Sequence, residues 1–157
     1  MQDTTRKTTD QAIDTLNSLI ETARDGQNGF ETAAEGAKSP ELKSFFAQNA
    51  TERANFATEL SRLVTTLGGE PHETGHVAGA MHRGWINIKT AVTGNDDKAI
   101  LEEAERGEDY AKKAFSDALK ESLPAEIRSV VDRMANQVIA THDRVRDLRN
   151  AARAADK

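Results

Sequence analysis

Apolar residues recur every three or four positions through most of this chain. The first run is Ile13, Leu16, Ile20, Ala23, Phe30, Ala34 and Ala37, the seam of an amphipathic helix packed in a bundle. It predicts a helix over residues 10–37, with Thr9 as its cap and Asp10 and Asp14 near the positive end of the helix dipole. Seam position 27 holds Gln, and Gly26 and Gly29 flank it. Glycine costs a helix interior up to about 1 kcal/mol, so this turn is either a point of close packing or a weak midsection. Residues 1–9 are polar and Thr-rich, which predicts a flexible N-terminal arm.

A second helix is predicted over residues 40–67. Ser39 is its cap, Pro40 suits the first turn and Glu41 favours the dipole. Its seam is Leu42, Phe45, Asn49, Glu52, Phe56, Leu60, Leu63 and Leu67, and Gly68-Gly69 stops it. A third bundle helix is predicted over 96–122. Its stripe is Ile100, Leu101, Ala104, Ala111, Phe115, Ala118 and Leu119, with Glu108 on the same line. Leu123-Pro124-Ala125-Glu126 is a second tight stop and start. A fourth helix follows over 125–153, with Ile127, Val131, Met134, Val138, Val145 and Leu148 inward and His142 at the edge of the stripe.

Between the two hairpins lies a connection far too long for a turn. Within it Val77, Met81, Trp85, Ile88 and Val92 share one helical face, which predicts a short helix over 76–93. A long crossover between two antiparallel pairs makes the second and third bundle helices parallel. The expected fold is therefore all-α: a ferritin-like four-helix bundle over residues 10–157, with a crossover that contains a short extra helix. The crossover face has two readings. It closes the side of its own bundle, or it is a protein interface anchored by Trp85 with Met81 and Ile88 beside it.

Composition narrows the chemistry. With 157 residues the chain has the size of one domain. Aromatic residues are 4% and charged residues 30%, which suits long helices with narrow apolar stripes. The net charge is −5 with both signs interspersed, and no basic patch is visible that would track a nucleic-acid backbone. There is no cysteine, which removes disulfides, zinc–thiolate sites and iron–sulfur clusters. No apolar run approaches the roughly 20 residues of a membrane span. Met1 to Thr5 lacks an apolar signal core, so a cytoplasmic protein is expected. There is no phosphate-binding glycine loop, and no Ser beside a His/Asp pair to support nucleophilic catalysis.

Several motifs have a family likeness. They are Gly79 through His82-Arg83-Gly84-Trp85, Leu101-Glu102-Glu103-Ala104-Glu105-Arg106-Gly107-Glu108-Asp109, Ser39-Pro40-Glu41-Leu42-Lys43 and His142-Asp143-Arg144-Val145-Arg146. They resemble a bacterial family of ferritin-like four-helix-bundle proteins of unknown function. The likeness runs from about Leu16 to Arg149. It implies a fold and a bacterial origin, and by analogy a link to stress, but no activity.

A ferritin-type di-iron centre takes Glu from two helices and Glu-x-x-His from the other two. That set is incomplete here. Glu52 is followed three residues on by Asn55, and His142 is preceded by Ile139. At about 1.5 Å per residue, Gln27, Glu52, Glu108 and His142 still fall within about one turn of the same depth. One reading is a reduced site for iron or another divalent metal. Glu52 and Glu108 would be its carboxylate ligands, His142 its imidazole, and Gln27 or Glu31 would complete the shell. Any enzyme built on it would be a metal-dependent oxidase. The simpler reading is a buried polar layer in which Glu52 and Glu108 meet Arg24, Arg53 or Arg106. His72, His76 and His82 are spaced by four and six, which does not place all three on one helix face. The functional expectation is a non-enzymatic bundle that acts through self-association, as a dimer, or through a protein partner.

Overall fold

The computed structural model describes residues 2–72, 84–94 and 96–155, the first four of them as backbone only. Its helices are α1 (Gln2–Gly36), α2 (Pro40–Thr66), α3 (Ile88–Thr93), α4 (Asp97–Ala118) and α5 (Ala125–Ala155). The long four make an all-α bundle. The N-terminal stretch expected as an arm continues α1 instead, because residues 2–9 contain no Gly or Pro to break it. Ser39 caps α2 as its sequence predicts, its hydroxyl accepting from the Leu42 N–H at 3.4 Å. Asp96 caps α4 through the Lys98 N–H. Helix α4 ends at Ala118, four residues short of expectation. Arg128 then closes the turn by donating to the Leu119 and Glu121 carbonyls at 2.6 Å each.

The direction of each helix follows from which core it joins. One apolar cluster gathers Leu16 and Ile20 of α1, Phe56 and Leu60 of α2, Phe115 of α4 and Val131 of α5. The other gathers Phe30 and Ala33 of α1, Phe46 of α2, Ile100 and Leu101 of α4 and Val145 of α5. Helices α2 and α4 both run from the second cluster to the first, so they are parallel. One long crossover joins the two antiparallel pairs. The Asp97 carboxylate fixes the shared end, accepting from the Lys38 and Ser39 N–H groups at 2.8 and 3.1 Å.

The described ends of the crossover lie against α1. Gly69 lies against Ile13, Asn17 bonds both the Glu70 carbonyl and the His72 N–H, and Val92 packs on Gly36. Helix α1 therefore has neighbours on three sides, and even its Asn17, Thr22 and Asp25 are buried. The expected crossover helix is shorter than its sequence pattern suggests. Of the 76–93 span, residues 76–83, including Met81, lie outside the described residues. Residues 84–87 are not helical, and Gly84 takes φ +89° where its backbone meets Gly107. Trp85 and Ile88 are not an exposed interface. They are 1% and 0% exposed, and the Trp85 indole sits between Gly29 of α1 and Gly107 of α4. Its ring meets Phe30 edge-on at 4.9 Å. The glycines and the tryptophan are one device: two helices without side chains at that level admit one large ring.

Candidate functional site

The two apolar clusters meet at a charged layer. Arg53 of α2 reaches it beneath Gly26 of α1, and Glu108 of α4 reaches it from the other side. Arg53 Nη1 and Nη2 donate to the two Glu108 carboxylate oxygens at 2.7 and 2.6 Å. The side chains are 1% and 0% exposed. This is the bidentate form of the pair, the strongest that a guanidinium and a carboxylate make. The guanidinium carbon also lies 5.4 Å from the Phe30 ring and 5.9 Å from the Phe56 ring, one ring from each cluster. Removing water strengthens such an ion pair and also makes either member costly to leave alone.

Glu52 stands beside this pair without joining it. It is half-buried, and its Oε1 is buried with no hydrogen-bond partner. Burial raises its carboxyl above the ordinary glutamate range; Arg53 opposes that shift and Glu108 adds to it. His142 is buried on α5 but faces outward acids. Its Nε2 is 2.6 Å from Asp109 and its Nδ1 is 3.0 Å from Asp143. That contact holds the Asp143 carboxyl below its ordinary value, with help from Arg146. Gln27 and Glu31 lie elsewhere, on the outer groove between α1 and α2. There Gln27 accepts from Arg24 at 2.8 Å and donates to Glu31 at 3.1 Å.

Equal depth does not bring the expected ligands together. Gln27 and Glu31 point out of the bundle, Glu52 points to one side, and His142 turns to Asp109. Glu108 alone of the five stands at the centre, with both oxygens engaged by Arg53. Among the described residues no three His, Asp or Glu side chains lie where they could share a metal ion. The donor set therefore does not fit a ferritin-type centre. It fits the polar layer, with Arg53 as the partner.

Around the layer, further polar ties fix how the helices sit. Asn49 of α2 accepts from Thr141 of α5 at 3.2 Å. Buried Glu103 accepts from the Asn87 N–H at 2.5 Å and from Arg106 at 3.0 Å, which pins the start of α3 to α4. Arg149 pairs with Glu105 between α5 and α4. Of these residues, Arg53 is the one that its apolar pattern conceals. A seam drawn through Glu52 leaves its neighbour outside, whereas the buried face of α2 runs Phe46, Asn49, Ala50, Arg53, Phe56, Ala57 and Leu60.

Residues 11–121 match the model of a family described as Domain of unknown function (DUF2383). A search of curated proteins finds no match. Among the described residues no helix is long and apolar enough to cross a membrane.

Proposed function

We propose that this chain, which belongs to that family of unknown function, is a non-catalytic bundle that acts by protein contact, through self-association. The observation that carries the reading is the Arg53–Glu108 pair. In a ferritin-type protein the centre of the bundle is where chemistry happens. Here a guanidinium fills it and engages both oxygens of the central carboxylate. Any recognition is then left to the surface. A link to stress and a bacterial setting, by family analogy, and a cytoplasmic setting, expected from the N-terminal sequence, belong to the same reading.

A metal-binding reading keeps one observation in its favour, the unpartnered buried oxygen of Glu52 next to Glu108. The two readings part in one preparation. Sedimentation equilibrium of the wild type is expected to give the mass of two 17.1-kDa chains, and a monomer at every concentration would overturn self-association. Aerobic loading with ferrous iron, followed by desalting, is expected to leave no stoichiometric iron. Iron retained by the wild type and lost in Glu52→Gln or Glu108→Gln would establish the metal site instead.

A further inference from the structure

An open cleft between α1 and α2, beside the start of the crossover, gathers two cations. Arg24 of α1 and Arg62 of α2 line it, with Thr58, Ser61, Thr65 and Thr66 of α2 and Pro71. The two helices are antiparallel, and side chains lean toward the N-terminus of their own helix, so the arginines lean toward each other along the cleft. Neither makes an ion pair among the described residues. The Arg24 guanidinium donates once, from Nη1 to the neutral Gln27 side chain at 2.8 Å, and its Nε is buried without a partner. Arg62 is exposed. Elsewhere the arginines are matched: Arg106, Arg133, Arg149 and Arg153 each meet a carboxylate.

The acids nearest these two arginines in sequence are engaged in other directions. Glu21, one turn before Arg24, lies 3.0 Å from His72. Asp25 is buried and does not line the cleft. Glu59, one turn before Arg62, pairs with Arg133 of α5. No described carboxylate lines the cleft. The three threonine hydroxyls donate to carbonyls one turn back in α2, so they wall the cleft without donating into it. That leaves two guanidinium groups and the Ser61 hydroxyl as its donors.

Two like charges at one cleft repel each other until an anion lies between them. Guanidinium forks match the oxygens of a phosphoryl group. A net charge of −5 disfavours a long polyanion. The exposed large apolar side chains, Ile86, Tyr110 and Ile139, lie on other parts of the chain, so no apolar rim favours a lipid headgroup. We infer that the cleft binds a small soluble phosphoryl anion, inorganic phosphate or a phosphomonoester. Arg24 and Arg62 hold its oxygens, and Ser61 donates a further hydrogen bond. This site does not depend on self-association.

Nuclear magnetic resonance of the full chain tests it, by titration with inorganic phosphate and with glycerol 3-phosphate at constant ionic strength. Saturable shifts are expected at the α2 amides from 58 to 66 and at the Arg24 Nε–H. R24Q and R62Q are each expected to weaken binding at least about tenfold, the worth of a hydrogen bond to a charged group. R153Q, which removes a charge outside the cleft, is expected to leave binding unchanged. Absence of saturable shifts with both anions would overturn the site, as would an equal loss in R153Q. Co-sedimentation with vesicles of phosphatidylcholine and phosphatidic acid, without binding of either soluble anion, would overturn the soluble ligand. If substitution at half-buried Arg24 unfolds the chain, R62Q and S61A carry the same comparison.

Discussion

Arg53 takes a full charge into an apolar interior, and its surroundings explain how the fold tolerates this. Two of its nitrogens bond Glu108, and phenyl rings lie beside the guanidinium; its Nε has no hydrogen-bond partner. Glu52, one residue away, also keeps a buried oxygen without a hydrogen-bond partner. Its carboxyl is raised by burial, so above the ordinary glutamate range the folded protein still holds a proton that the unfolded chain has released. Stability is then lost as pH rises through that window. Glu52→Gln removes the titration. The variant is expected to have a higher urea midpoint than the wild type above the window and to converge with it below the ordinary range. A midpoint difference that does not change with pH would argue against a desolvated carboxyl. His142 was read from its position on α5 as a metal ligand. Nothing in a single helix pattern shows that Asp109, across on α4, faces its ring.

At the scale of elements, the crossover is held by shape. Gly29 and Gly107 leave room for Trp85, and a Cβ at either position would overlap the indole. Gly29→Ala and Gly107→Ala are expected to cost about 1–3 kcal/mol through overpacking. Trp85→Ala is expected to cost about 3–5 kcal/mol through the cavity it leaves. Chemical unfolding followed by circular dichroism measures both. Trp85 is the one tryptophan of the chain, so its emission reports this contact alone. A red shift in folded Gly107→Ala is the expected sign of a displaced ring. Much of this level was legible beforehand. Ser39-Pro40 and Leu123-Pro124 mark their turns by cap and ring chemistry, and the length of the crossover implies that α2 and α4 are parallel. The direction in which Trp85 faces was not legible. An apolar stripe on a short segment says that something covers it, not whether that cover is its own bundle. The glycines of α1 and α4 were the available signal.

For the whole molecule, one charged layer divides two apolar clusters, and two hairpins meet across it. The apolar periodicity was enough to find the helices, because long amphipathic segments repeat their signal many times. It was not enough to find the layer. A shift of one residue turns a helix face by about 100°, which exchanges Glu52 for Arg53 and a metal ligand for its replacement. The layer depends on Arg53 and Glu108 forming a structural pair at the centre of the bundle. Urea unfolding of the wild type, Arg53→Met, Glu108→Leu and the double variant tests that pairing most directly. Each single change is expected to cost about 3–5 kcal/mol by leaving a buried charge alone, and the double variant is expected to recover to within about 1 kcal/mol of the wild type or to exceed it. A Glu108→Leu variant as stable as the wild type, or a double variant no better than the worse single one, would contradict it.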